Sequence, residues 1–420
     1  MLVGIIQFIL IVIIVIYEYK KKSPAFFLWI TLTILFGIPH MFTTLEVENM
    51  LELSILNEAS FFVILFCIFY IFTRLLLSKV FNLQIIIRTI SKNKSKKFLK
   101  IVEKLFYLSF ILYLVSIFKV NGISFNINKT LIYKTMASKN LLTLISTYLY
   151  YASSPIILYY LRIKNNKKMI IIGILIVFRT LITTSRMDMM ILIVAIISNI
   201  ILQNKIKIKD IIKISIIGIT SIYIIYFIRA FRYYYSLTSI FSIDFMLLNN
   251  QIISFIMEGN GDINLREVFY FFIRGDNKFE GFGNLSTYKR LLLFFIPNKL
   301  IFNIKPEDMC LTMGRAWRPD FNGIIEYSVT PTLFGDCYAN LGFNGFILGI
   351  LWAIIITIFD RVIIKVKKNE IKLILYSLIA VNYIDIARGS IYNPICLIWY
   401  CLIILIFIQL IQRIKIKYIK

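Results

Sequence analysis

Eight charged side chains stand inside or at the ends of apolar runs: Arg179, Arg186, Asp188, Arg229, Arg232, Asp336, Asp385 and Arg388. An Arg or Asp at mid-membrane depth costs about 2.5–3.5 kcal/mol on insertion scales, so each is a functional candidate by default. "TTSRMDMM" puts Arg186 and Asp188 at the tip of an apolar hairpin, and "DIARGSIYNP" does the same with Asp385 and Arg388. "IRAFRYYY" adds Arg229 and Arg232 with Tyr233 beside them. If the helix before the first hairpin stays helical to residue 186, Arg179 and Arg186 are seven apart and share a face. Guanidinium groups gathered at one depth suit phosphate oxygens, which they bind bidentately while staying charged when partly desolvated. Such a cluster could also stabilise charge developing on a departing pyrophosphate, with no metal needed.

Each residue also has a plainer reading. Arginines at span ends snorkel to headgroups. Asp385 and Arg388, three apart, suit an intrahelical ion pair. Asp188 suits a turn partner that holds Arg186 in place. For proton transfer there are two candidates. His40, the only histidine, follows Pro39 in "FGIPHMF" and has a suitable imidazole. Asp336, in "TPTLFGDCYANLGFNGF", opens a span, where an acid also serves as a cap or dipole partner. Glu326 is a weaker candidate in the same region. Tyr233, Tyr234 and Tyr235 fit an interfacial aromatic belt, and Trp317, Phe321 and Tyr327 offer rings on which sugars could stack.

The elements that must position these groups are membrane helices. The 420 residues are 59% hydrophobic and 15% aromatic with mean hydropathy +0.81, a balance that excludes a soluble domain. The net charge of +25 lies in short loops between apolar runs rather than on a continuous basic face, which argues against nucleic acid. Cys67, Cys310, Cys337, Cys396 and Cys401 show no metal-ligand spacing; Cys310 and Cys337 could pair, or all five could be free thiols. The first apolar run lacks a basic leader and a small-residue cleavage site, so it reads as a retained span.

The expected fold is an all-α polytopic membrane protein with about 11 transmembrane helices in one membrane domain. The spans lie near 2–17, 24–42, 57–77, 104–120, 141–161, 169–184, 187–203, 211–228, 333–359, 371–387 and 391–412. Basic residues crowd one set of loops, with Lys20, Lys21 and Lys22 in the first and nine between Arg74 and Lys104 in the next. That bias predicts an outer N-terminus and a cytoplasmic C-terminus. Segment 229–332 divides helices 1–228 from helices 333–420 as one long, aromatic-rich outer loop, and loops of this length are functional or disordered. Within it, "GDINLREVFYFFIRG" reads as a helix capped by Asp262, with Leu265, Val268, Phe269 and Phe272 on its apolar face and Gly275 as stop. "STYKRLLLFFIP" reads as a second helix ended by Pro297, and Ile240 to Met257 as a third. All three are expected on the membrane surface or capping the bundle.

In its Ser-Arg hairpin, its long loop before a late span, its Gly-acid-aromatic-Asn-Gly approach to that span and its "RGSIYNP" turn, the chain resembles the O-antigen polymerases of the Wzy type, the oligosaccharide repeat unit polymerases. Met187 stands where that family usually has Gly, and Asp336 where it often has Glu. The resemblance implies a GT-C-like bundle in a bacterial inner membrane with the loop periplasmic. It implies a metal-independent glycosyltransferase that takes undecaprenyl-pyrophosphate-linked glycans as donor and acceptor, needs no cofactor and works with a chain-length-regulating co-polymerase. Arg186, Arg229, Arg232 and Arg388 would then hold pyrophosphates, with Arg179 in support and Tyr233 against the glycan. Asp336 or His40 would assist the acceptor hydroxyl. An O-antigen ligase would by resemblance carry a histidine late in the loop, and residues 229–332 contain none. A lipid-linked oligosaccharide flippase would be expected to show internal repeats and broken mid-membrane helices.

Overall fold

The computed structural model describes the chain except residues 1, 47–48, 87–95, 122–139, 184, most of 204–244, 258–263, 297–303, 322–326 and 418–420. Every regular element among the described residues is helical. Seven helices are long and apolar enough to cross a membrane.

Burial is inverted relative to a soluble protein. Helix α1 (Leu2–Lys21) exposes Ile5, Ile9, Ile13 and Ile16 while Gln7 and Glu18 are fully buried. An apolar stripe facing outward and polar groups facing inward suit a lipid surround, where exposed methyl groups carry no hydration penalty.

The chain divides into two compact units. Unit 1 comprises Met1–Ile85, Gly259–Lys365 and Asn382–Cys396; unit 2 comprises Ile86–Glu258, Val366–Val381 and Leu397–Lys420. The break falls in different places from the linear segments 1–228, 229–332 and 333–420, because loop residues after 259 pack with the early helices.

In unit 1, α2 (Ala25–Leu32) continues through a widened π-helical turn at Thr33–Gly37 into α3 (Ile38–Glu46). Pro39 lacks an N–H and its ring crowds the carbonyl one turn back, and the widened turn relieves that clash. His40 is thereby turned inward and fully buried. Helix α4 (Met50–Val80) starts at Asn49, whose side chain accepts from the Leu51 amide. Its 31 residues span about 46 Å, more than a ~30 Å hydrocarbon core. Trp29, Phe36, Phe62, Phe66 and Tyr70 interleave with Phe269 and Phe334 in tilted and edge-on pairs 4.7–6.5 Å apart.

Unit 2 holds α5 (Lys96–Asn121), α6 (Leu141–Ser153), α7 (Ile156–Arg162), α8 (Asn166–Thr183), α9 (Arg186–Ile201) and α10 (Phe245–Met257). The expected span 141–161 is split at Pro155, which has no amide to continue the ladder. Of the expected span 211–228, seven residues lie outside the described residues and the other eleven are helical.

Helices form in segment 229–332 near the expected positions, with shifted bounds. Helix α11 (Leu265–Arg274) is preceded by Asn264, not Asp262, and is closed by Gly275. It buries Val268, Phe269, Tyr270, Phe272 and Ile273, and so is part of the unit 1 core rather than a surface helix. Helix α12 (Ser286–Leu292) is shorter than "STYKRLLLFFIP" suggested, and α13 (Met309–Trp317) is capped by the Asp308 carboxylate. Then come α14 (Thr332–Leu341), a tight turn at Gly342–Ile347, α15 (Leu348–Lys365), α16 (Asn369–Ala387) and α17 (Tyr392–Lys417).

Candidate functional site

Helix α8 stops at Thr183 and α9 starts at Arg186, with Ser185 extended between them as the N-cap residue. Arg179 and Arg186 therefore belong to different helices and do not share a face. Arg179 is buried, 4.7 Å above the Tyr113 ring and 3.9 Å above that of Tyr150. Its Nε donates to the Asp188 carboxylate at 3.3 Å. The Thr183 and Tyr151 hydroxyls donate to the same carboxylate at 2.9 and 3.0 Å. Asp188 in the first turn of α9 also complements the positive end of that helix. Asp188 thus pairs with Arg179, nine residues back, a partner the sequence did not suggest. The pair holds the hairpin, and half-buried Arg186 is carried at the N-terminus of a 16-residue helix.

That arrangement makes a prediction. Arg179→Met should destabilise by about 3 kcal/mol, the low end for an orphaned buried charge, because two hydroxyls still serve Asp188. Adding Asp188→Asn should recover most of the loss in thermal unfolding of the purified protein. Independent, additive losses in the two single variants would contradict the pair.

In unit 1, two of the motifs meet. The Thr332 amide, at the start of α14, donates to the Arg388 carbonyl at 2.9 Å. Gly389 has φ +103, and a Cβ there would lie 2.8 Å from the Thr332 carbonyl oxygen. Glycine at this turn is what lets the "RGSIYNP" hairpin reach the "TPTLFGD" segment. Arg388 pairs with Asp385 at 3.3 Å, the expected i,i+3 ion pair, and both are about one-fifth exposed. Arg290 lies 4.5 Å and Lys305 5.4 Å from the ring of Tyr392, in the same hairpin. Burial, and then the Arg290 charge, lower the Lys305 pKa.

Asp336 sits 1% exposed in a polar cage. Asn340 Nδ2 donates to it at 3.0 Å and the Thr287 hydroxyl at 3.3 Å, while the Thr287 amide donates to Asn340 Oδ1 at 3.1 Å. The cage ties α12 to α14, and among the described residues no ion pair reaches Asp336. In this geometry Asp336 locks the outer loop onto the bundle and presents no carboxylate oxygen at a surface.

His40 is equally enclosed. Its Nε2 is 2.7 Å from the Ser60 hydroxyl and its Nδ1 is 2.5 Å from the Tyr270 hydroxyl. Tyr270 and Ser60 thus bracket the imidazole at both of its nitrogens. Burial raises the Tyr270 pKa, which keeps the phenol neutral. Tyr270 also lines a cavity, so the histidine has a one-residue path toward open space.

Arg229, Arg232 and Tyr233, with Glu326, lie outside the described residues. The five cysteines are free thiols.

The densest charge cluster is one the sequence did not single out. Arg74 grips Glu18 with two bonds, Nε–Oε1 at 2.9 Å and Nη2–Oε2 at 2.7 Å, and reaches Asp360 Oδ2 at 2.7 Å. Thr357 accepts from Arg74 at 2.8 Å; Tyr70 donates to Glu18 at 2.7 Å and Ser23 to Asp360 at 2.8 Å. All three charged side chains are 0% exposed. The available signal was that Glu18 and Asp360 are each the single acid of an otherwise apolar helix, but both sit near basic residues and read as solvated.

No family model, no curated protein and no solved structure matches this chain.

Proposed function

We propose that the protein is a polysaccharide polymerase of the bacterial inner membrane. In this reading it joins undecaprenyl-pyrophosphate-linked oligosaccharide repeat units into O-antigen or a related surface glycan. The growing chain leaves its lipid pyrophosphate and forms a glycosidic bond to a hydroxyl of a new lipid-linked unit. Undecaprenyl pyrophosphate departs, and the hydroxyl proton passes to a base. The matching topology has eleven spans, a periplasmic N-terminus, a cytoplasmic C-terminus and residues 229–332 as a periplasmic loop.

The observation that carries the reading is the Arg186 hairpin. Arg186 stands in the first turn of α9, where a guanidinium and a helix N-terminus are both favourable to phosphate oxygens. The positive-inside bias assigns that tip to the outer face. Arg229, Arg232 and Arg388 are proposed as further pyrophosphate ligands, and Tyr233 as a glycan contact. His40 is proposed to receive the acceptor proton, with Tyr270 as the link from the cavity, while the enclosed Asp336 is proposed to hold α12 against α14.

The buried Glu18–Arg74–Asp360 cluster favours a second reading, a lipid-linked oligosaccharide transporter, because intramembrane ionisable groups mark transport paths. The purified protein given lipid-pyrophosphate-linked repeat units in detergent separates these. A ladder of lengthening lipid-linked glycans is the expected result. Transfer only to a lipid A core would indicate a ligase, and movement across vesicles with no new glycosidic bond a transporter; either would overturn the proposal.

A further inference from the structure

One cavity in unit 1 is chemically unlike the rest of the molecule. It has a volume of about 220 Å³ and is floored by Tyr270 on α11. Glu52 and Glu267 supply carboxylates, Arg274 a guanidinium and Thr43 a hydroxyl, and Trp317 forms a wall. Phe271 meets the Trp317 ring edge-on, centroids 5.1 Å apart at 86°, which fixes the indole. Arg266 Nε sits 3.6 Å from Glu267 Oε1, and the Glu267 side chain remains 45% exposed.

We propose that this cavity binds a single sugar ring. The inference rests on the polymerase reading for its role, the terminal sugar of the acceptor glycan, but not for its chemistry. The volume is below the roughly 300–1,000 Å³ of sites for drug-sized ligands and matches one pyranose. Two carboxylates accept paired hydroxyl groups, the guanidinium and the Tyr270 and Thr43 hydroxyls serve the remaining oxygens, and the indole face takes the C–H face of the ring. A phosphate would be repelled by Glu52 and Glu267, and an acyl chain would desolvate two carboxylates and a guanidinium without replacing their water. Among the described residues no cluster of three metal-ligating side chains exists. His40, buried behind the floor with Ser60, is a positioning residue: it fixes the Tyr270 hydroxyl from the side away from the ligand.

The test is saturation-transfer NMR and tryptophan fluorescence on the full-length protein in detergent. The probes are a panel of neutral hexoses, 6-deoxyhexoses and N-acetylhexosamines, with inorganic phosphate as control. At least one neutral sugar is expected to bind and to perturb tryptophan emission. Trp317→Ala and Glu267→Gln are each expected to weaken it about tenfold or more, about 1.4 kcal/mol. Trp317→Phe should retain part of the binding, and Trp399→Phe, in unit 2, should retain all of it. His40→Gln should change which sugar binds best rather than abolish binding. Melting temperatures equal to wild type certify the folds, and Glu267→Gln, nearly isosteric and half exposed, stands in if Trp317→Ala fails to fold. No binding by any neutral sugar, binding unchanged in both variants, or binding of phosphate alone would overturn the site. A polymer ladder without sugar binding defeats the cavity alone, and sugar binding without a ladder defeats the polymerase reading alone.

Discussion

Arg74→Met is expected to lower the stability of the folded protein by about 5 kcal/mol, the upper end for breaking a buried ion pair. The reason is charge counting in a space with no water. Wild type places one guanidinium between two carboxylates, all three side chains at 0% exposure. Methionine matches the volume but leaves Glu18 and Asp360 facing each other without a cation. The hydroxyls of Tyr70 and Ser23 remain, and they cannot neutralise either charge. Arg74→Lys should recover only part of the loss, because an ammonium lacks the planar fork that serves Glu18 twice and Asp360 once. The triple variant Glu18→Gln, Arg74→Met, Asp360→Asn removes every charge and should return close to wild type. Thermal unfolding in detergent reads this directly, with a fall of roughly 10–20 °C for Arg74→Met. Wild-type stability in Arg74→Met would show that the cluster does not hold unit 1 together.

Arg186→Ala is expected to reduce polymer formation by about 10²–10³-fold, the scale of losing one charged stabiliser of a leaving group. Protein level and membrane insertion should be unchanged. The separation of effects follows from the hairpin: Arg179 and Asp188 hold α8 and α9 together, and that pair is untouched when Arg186 is cut back. Arg186→Lys keeps the charge and loses bidentate geometry, so it should sit between the two. The ladder assay measures the rate, and immunoblotting of membranes controls for insertion. Normal long-chain polysaccharide in Arg186→Ala would sink the pyrophosphate assignment.

The helices themselves were legible in the chain. Apolar runs marked the spans, Gly275 marked the end of α11, and Val268, Phe269 and Phe272 marked its buried face. Errors came where a local rule competed with another. Pro155 puts a tight turn inside the Leu141–Arg162 crossing that hydropathy marked, without ending it. At residues 183–186 hydropathy alone allowed one helix to reach Arg186, whereas Ser185 caps a new one. The Asp385–Arg388 pair was readable because its members are three apart at one helix end.

What the sequence by itself determined is the class of molecule: an all-helical membrane chain with charged hairpin tips, set by composition and by 3.6-residue periodicity, which are local properties. What only the tertiary structure decided is which charges cancel and which groups face a cavity. Arg74 meets partners 56 and 286 residues away, and His40 meets Tyr270 across 230. Tyr270 is the hinge of that distinction. It lies outside the apolar stripe read for its helix and drew no role from the sequence; its hydroxyl gained one only when packing set His40 beside it and placed the residue at the Trp317 cavity. Hydrogen bonds and ion pairs act over a few ångströms of space, and nothing in the spacing of residues along a chain records which distant segments will be brought within that range.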